Sequence, residues 1–205
     1  MQRLKKAEEI EKHKLQLLYA FDYGVNLKSR VVQLIPQTSE IEESEDWGPS
    51  IKEHDFAHLD AVLTELESYN RSAITIRIMS WGGSVQSAMA IIGRMRASKC
   101  KIITEGFGTI QSAATLILAA GQERRISEFC TFMHHSSNYG ISPGTRHTQA
   151  QAFVEQAQRE EEQWAKWMAE FSDKPKKFYM EQGKHLDVYW TPEQLLEFGI
   201  VDKII

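Results

Sequence analysis

The sequence predicts an α/β fold, a largely parallel sheet with helices packed on it, in one domain covering residues 1–205. Segments of strand and helix periodicity alternate along the chain, and the β-branched runs are short and bounded by glycine, proline or polar residues. With 205 residues, 42% hydrophobic and 25% charged, the chain has the makeup of a soluble domain with one core.

Leu4, Ala7, Ile10, Leu15, Leu17 and Leu18 fall near the helical period and predict a helical N-terminal extension over 1–21. Val31-Val32-Gln33-Leu34-Ile35, stopped by Pro36, reads as a buried strand, and the acidic stretch from Gln37 to Ser50 as a loop. Phe56, Leu59, Val62, Leu63 and Leu66 repeat at three and four, a helix that stops before Asn70. Ala73 to Met79 alternates apolar and polar, a strand that runs into Ser80-Trp81-Gly82-Gly83. A helix from Val85 to Met95, a strand over Lys101–Thr104, a helix from Ser112 to Ala120 and a strand over Phe129–His135 continue the alternation.

One long helix is predicted at about 148–171, with Phe153, Ala157, Trp164, Trp167, Met168 and Phe171 close to its period. An apolar stripe with two tryptophans exceeds what a small domain covers, so it reads as a subunit contact, with ordinary core packing the alternative. Thr191-Pro192-Glu193 opens a last helix, and Phe198-Gly199-Ile200-Val201-Asp202 stops it and leads to a short strand.

Composition excludes several classes. A net charge of -4 without a basic stripe predicts neither a nucleic-acid nor an anionic-membrane partner. No apolar run approaches the roughly 20 residues that span a bilayer, and the charged N-terminus is unlike a signal peptide, which predicts a cytoplasmic protein. Cys100 and Cys130 read as two small buried residues rather than a disulfide framework. No metal site is expected, since CxxC and HExxH are absent and the adjacent His134 and His135 point to opposite sides of a strand. No cofactor is expected either, and without a GxxxxGK[ST] phosphate loop any ATP dependence has to come from a partner.

Four constellations carry chemistry. Gly82-Gly83, between a strand and a helix, lets backbone N–H groups approach an oxygen anion, although such a pair is more often only a turn. Ser112 opens an apolar helix after the glycine-containing Gly106-Phe107-Gly108, where a hydroxyl can act as a nucleophile or as a helix cap. The Ala113 N–H after it lies in the first helical turn, where donors are unpaired. His134 and His135 end a strand, and an imidazole, titrating near about 6.5, can take a serine proton. Asp187, ahead of Val188-Tyr189-Trp190, can orient that imidazole.

As an ordered set these resemble one family, the ATP-dependent Clp protease proteolytic subunit, ClpP. Its members read Ser-Pro-Gly-Gly, then Gly-x-Ala-Ala-Ser, then Met-Ile-His-Gln-Pro, then an aspartate shortly before a Ser/Thr-Ala/Pro-Glu helix, then Tyr-Gly-Leu-Val-Asp. The chain has Ser80-Trp81-Gly82-Gly83, Gly108-Thr109-Ile110-Gln111-Ser112, Met133-His134-His135-Ser136-Ser137, Asp187 ahead of Thr191-Pro192-Glu193, and Phe198-Gly199-Ile200-Val201-Asp202. Tyr23-Gly24-Val25 through Val32 is similar to the family's entry into its first strand, so the resemblance runs from about residue 22 to the C-terminus.

The resemblance implies a crotonase-like fold of repeated strand-helix units, with the helix at about 148–171 as a handle between rings. It implies Ser112 as nucleophile, the N–H groups of Gly83 and Ala113 as oxyanion hole, and Asp187, twelve residues before Gly199, as orienting acid. His135 fits the family's histidine, because Gly140 follows it by five residues, and His134 takes the place of an isoleucine. The implied activity is a serine endopeptidase cleaving unfolded polypeptides inside a homo-oligomer, heptameric rings stacked in pairs, fed by a Clp-type ATPase unfoldase. Trp81 for proline, Thr109-Ile110-Gln111 for small residues, Ser136-Ser137 for Gln-Pro and Glu128-Phe129 for Pro-Asn mark a divergent member. A phage-type capsid-maturation protease, a non-catalytic ring subunit and an acyl-CoA enzyme of the same fold class are the alternatives.

Overall fold

The computed structural model describes residues 24–35, 50–135, 144–182 and 187–205. The helix expected over 1–21 and most of the loop expected before Ser50 lie outside these residues. In chain order the elements are β1 (Val25–Asn26), β2 (Val31–Leu34), β3 (Ser50–Ile51), α1 (Glu53–Tyr69), β4 (Ile74–Ser80), β5 (Gly82–Gly83), α2 (Val85–Arg96) and β6 (Ile102–Gln111). They continue as α3 (Ala113–Ala119), β7 (Glu123–Ile126), β8 (Thr131–His135), α4 (His147–Glu170), α5 (Lys176–Gln182), β9 (Asp187–Trp190), α6 (Pro192–Glu197) and β10 (Lys203–Ile204).

The main sheet has the order β1-β2-β4-β6-β7-β10, with β8 also on β6 and β9 on β8. Only β1–β2 and β8–β9 are antiparallel in it. On β4, Ile74, Ile76, Ile78 and Ser80 are buried, whereas Thr75 and Met79 are half-buried and Arg77 is exposed, so one face of the sheet is sealed by helices. The buried Leu59, Leu63 and Leu66 of α1, Ala88, Ile91 and Met95 of α2, and all of α3 join the same core.

The long strand β6 governs the shape of the sheet. Its first half pairs with β7, Ile103 to Gly106 against Glu123 to Ile126, and its last residues pair with β8, Thr109 to Gln111 against Thr131 to Met133. The sheet therefore divides at β6, and the upper branch carries β8 and β9. The sequence read a strand over 101–104 and a turn at Gly106-Phe107-Gly108; the strand instead runs on to Gln111. Pairing with β4 runs from Ile74↔Ile102 to Ile78↔Gly106, breaks at a register shift over Phe107, Gly108 and Thr109, and resumes at Ser80↔Ile110, so Gly108 marks an irregularity inside one strand. β7 has no apolar alternation to betray it. Its charges are matched by neighbours instead: Arg125 pairs with Glu105 and Glu123, Lys101 with Glu123, and Arg124 with Asp202.

The tryptophans of α4 correct the expectation of a subunit contact. Trp164 and Met168 are buried, and Trp167 packs against the same core, so the C-terminal half of the helix is covered by its own domain. The N-terminal half is mostly exposed, Val154 to 51%, with Phe153 and Ala157 half-buried. Among the described residues no helix is long and apolar enough to cross a membrane. Cys100 and Cys130 are both free and buried, and burial pushes the Cys130 thiol up to about 12.

A buried guanidinium ties the first strands together. Arg30, with φ 56°, donates to the carbonyls of Leu66 (2.9 Å), Ser72 (3.1 Å) and Ala73 (3.3 Å) and to the Cys100 Sγ (3.4 Å). It fastens the turn before β2 to the end of α1 and the start of β4. Replacing it strands these acceptors. Arg30→Ala is expected to lower the unfolding free energy by about 2–4 kcal/mol, read as a lower urea midpoint at unchanged slope. Arg30→Lys recovers only part of this, because an ammonium cannot span the fork.

Candidate active site

Ser112 lies at the corner where β6 ends and α3 begins, with φ 50° and ψ -125°. Only Arg30 shares a positive φ among the described non-glycine residues. Such a backbone costs about 1–3 kcal/mol, so its surroundings must hold it. They do so from both sides. The Ser112 N–H donates to the Met133 carbonyl at 2.9 Å, and the Ser112 carbonyl accepts from the Thr115 N–H (3.0 Å) and Oγ (2.6 Å). The Thr115 Oγ in turn accepts from Trp164 Nε1 at 3.3 Å. The Ser112 hydroxyl makes no capping bond to its helix, which removes the cap reading. A sharp strand-to-helix corner is the setting in which a serine hydroxyl is presented for attack.

The glycine pair is required by crowding. Gly82 and Gly83 have φ +100° and +127°, and a Cβ on Gly82 would lie 2.5 Å from the Ser112 Cβ and 3.1 Å from the Ala113 N. On Gly83 it would lie 2.5 Å from the Ile51 carbonyl oxygen. β5 thus threads between β3 and the serine corner with no room for a side chain. The Gly82 N–H is held by the Ser80 Oγ (3.1 Å), and the Ser84 N–H by the Ile51 carbonyl (2.9 Å). Gly83 is exposed, and Ala113 lies in the first turn of α3, outside the intrahelical ladder.

The two histidines face opposite ways. His134 is 5% exposed, and its ring lies flat on the Trp164 indole, with centroids 3.3 Å apart and planes 4° apart. Neither of its nitrogens has a hydrogen-bond partner among the described residues. Burial pushes its pKa down to about 3, and the neighbouring His135 adds to the shift. His135 is half-buried on the other face and lies directly opposite Asp187 in the β8–β9 ladder. Opposed residues on one face have Cβ atoms about 5 Å apart, within reach of a carboxylate–imidazole hydrogen bond.

Asp187 is exposed rather than set among apolar side chains. The backbone frame sets β6, β8 and β9 side by side, so Ser112, His135 and Asp187 fall on adjacent strand ends. Among the described residues no hydrogen bond joins their side chains. Ser136 and Ser137 lie outside the described residues.

Sequence reasoning passed over three residues around this frame. Thr115 and Trp164 brace the corner from below, and their only sequence signal was membership of apolar helical stripes. Tyr189, 59% exposed on β9 opposite Met133, was noted only as part of the run that follows Asp187. Among the described residues no group of three or more His, Cys, Asp or Glu side chains could hold a metal ion.

The Clp protease family model matches residues 40–205. The chain is 31% identical over 134 residues to an ATP-dependent Clp protease proteolytic subunit 2 of Corynebacterium efficiens, covering 64% of the chain and 66% of the relative. Subunit 1 of Mycobacterium tuberculosis is 30% identical over 134 residues, with the same shares of each, and the proteolytic subunit of Streptococcus suis 27% over 126, covering 60% of the chain and 64% of the relative. The chain spans just under two thirds of the length of these relatives. Among solved structures, a ClpP1 mutant from Listeria monocytogenes superposes with a TM-score of 0.70 at 20% identity, over 87% of the chain and 92% of that structure. This establishes the mixed α/β fold as that of ClpP.

His134 generates a prediction of its own. Its folded-state pKa lies below the 6.5 of a free imidazole, so the unfolded chain binds more protons between about 6.5 and about 3. The protein is therefore expected to lose stability as pH falls through that window. His134→Ile removes two unpaired buried nitrogens at similar volume; it should raise the thermal midpoint at neutral pH and flatten the acid limb, as measured by unfolding scans between pH 4 and 7.

Proposed function

Because the chain belongs to the Clp protease family, we propose that it is a serine endopeptidase subunit that cleaves unfolded polypeptides through Ser112, His135 and Asp187. The observation that carries this reading is the strained corner at Ser112, maintained against its cost and backed by two glycines that tolerate no side chain. A cap or packing serine has no use for such a backbone.

In the mechanism, His135 takes the Ser112 proton as the hydroxyl oxygen attacks the peptide carbonyl. The carbonyl oxygen becomes an anion, held by the N–H groups of Gly83 and Ala113. His135 then gives its proton to the leaving nitrogen, the C–N bond breaks, and an acyl-enzyme remains. Water, deprotonated by His135, releases the second product and restores the serine. Asp187 fixes the imidazole tautomer from across the ladder and stabilises its charged form. The role assigned to His135 over His134 rests on orientation, since the His134 ring is stacked under Trp164 and burial holds it neutral.

The mostly exposed N-terminal half of α4 is the segment through which copies of the chain would meet. A single protease domain, rings of seven stacked in pairs, a Clp-type ATPase partner and a cytoplasmic location complete the proposal on the family's pattern. A non-catalytic ring subunit is the competing reading. It is favoured by the lack of hydrogen bonds between the three side chains among the described residues.

A fluorophosphonate probe separates the two. Covalent labelling of the wild type and none of Ser112→Ala is expected, read by intact-protein mass; an unlabelled wild type would sink the peptidase assignment. Peptide turnover should fall by about 10³-fold or more in His135→Ala, and His134→Ile should keep it within a few fold. The reverse pattern would transfer the base role to His134.

A further inference from the structure

We propose that Thr115 and Trp164 are positioning residues for the reaction: together they hold the peptide between Ser112 and Ala113 at the angle that aims the Ala113 N–H at the oxyanion. This rests on the peptidase reading and adds to it the groups that orient one of its two oxyanion donors.

A peptide unit is planar and, with no cis bond among the described residues, its C=O and N–H point in opposite directions. Whatever fixes the Ser112 carbonyl therefore fixes the Ala113 N–H. The Ser112 carbonyl accepts twice from Thr115, from the N–H at 3.0 Å and from Oγ at 2.6 Å, so two bonds hold it against the first turn of α3. The Ala113 N–H is thereby turned away from the helix. Its nitrogen borders the glycine turn, 3.1 Å from where a Cβ on Gly82 would stand.

Trp164 directs the hydroxyl bond. An indole N–H can only donate, so it takes a lone pair of the Thr115 Oγ, at 3.3 Å, and leaves the single hydroxyl hydrogen for the Ser112 carbonyl. Each bond of such a chain polarises the next. The indole itself is fixed on two sides: His134 covers its face at 3.3 Å, and the Tyr179 ring meets it edge-on at 5.5 Å and 90°. Tyr179 is fully buried, and its hydroxyl shares a 2.5 Å hydrogen bond with the Ser172 Oγ. Thr115 is fully buried as well, so water offers no substitute for either partner.

A threonine in a first helical turn often bonds a carbonyl three residues back, and that alone is ordinary helix structure. Two features set this one apart. The carbonyl belongs to a residue at φ 50°, where the usual helix-start geometry does not set the plane of the next peptide, and the second donor comes from 49 residues further along the chain. A tilted donor loses strength where charge develops in the transition state, which lowers turnover and leaves substrate binding unchanged.

The test uses the whole chain, a fluorogenic peptide and a fluorophosphonate whose phosphoryl oxygen enters the same hole. Thr115→Val deletes the hydroxyl at similar shape; it should lower kcat about tenfold with KM within about twofold, and slow labelling in proportion. Thr115→Ser keeps the hydroxyl and should stay within about threefold of the wild type. Trp164→Phe removes the N–H donor but keeps an aromatic face for His134, and should lower kcat about threefold or more; combined with Thr115→Val it should add no further loss, because it acts through that hydroxyl. The acid limb of the pH profile should stay in place in all of them, since His135 is untouched. Wild-type kcat in Thr115→Val, a rise in KM in its place, or a Thr115→Ser as slow as the valine variant overturns the inference and leaves the peptidase reading intact. If the valine variant does not fold, Trp164→Phe decides alone, and wild-type turnover in it overturns the inference. A wild type that no fluorophosphonate labels overturns both readings.

Discussion

The approach of Gly82 to Ser112 is the constraint on which the rest of the site depends. The missing Cβ leaves room for the Ser112 Cβ, and a methyl group there would sit 2.5 Å from it. With that room, β6 can end in a corner of positive φ, at which the Ser112 hydroxyl makes no capping bond to α3. Without it the strand and helix could not meet at this angle. The strain at Ser112 is thus held by the hydrogen bonds and close packing around its backbone, which is how a locally unfavourable backbone persists in a folded protein.

Trp164 is the second fixed point. Its indole N–H reaches the Thr115 Oγ, which is bonded to the Ser112 carbonyl, and its face covers His134 on β8. One side chain of α4 therefore touches both the helix that follows Ser112 and the strand that carries the histidines. The helix whose other half is mostly exposed is rooted at the site itself. Any displacement of α4 at that root would be felt at Ser112 and at β8 together.

The divided course of β6 explains how the chain brings distant segments to one place. Its lower half belongs to a charged branch, where Glu105 is buried between Arg77 and Arg125. Its upper half pairs with β8, and β8 with β9, so residues around 112, 135 and 187 become neighbours across three adjacent strands. Neither branch shows plain apolar alternation. On the lower one the charges neutralise one another, and on the upper one the alternation lies between buried aromatics and the polar groups of the site.

Read alone, the sequence determined the α/β class and most strands and helices, because hydrophobic period and turn residues are local; Gly83, Ser112, His135 and Asp187 stood out only as an ordered set resembling a family. It could not tell whether Ser112 caps its helix, since a serine in either role opens one; the positive φ and the missing capping bond appear only in the fold. It could count toward His135 but not see His134 lose its charge under Trp164, because burial is a property of what folds over a residue. It hid β7, whose arginines and glutamates look like a loop until their partners arrive from other strands. It took the α4 tryptophans for a subunit contact because periodicity reports an apolar stripe without saying what covers it. Such questions turn on contacts between segments remote in sequence, and only tertiary structure decides them.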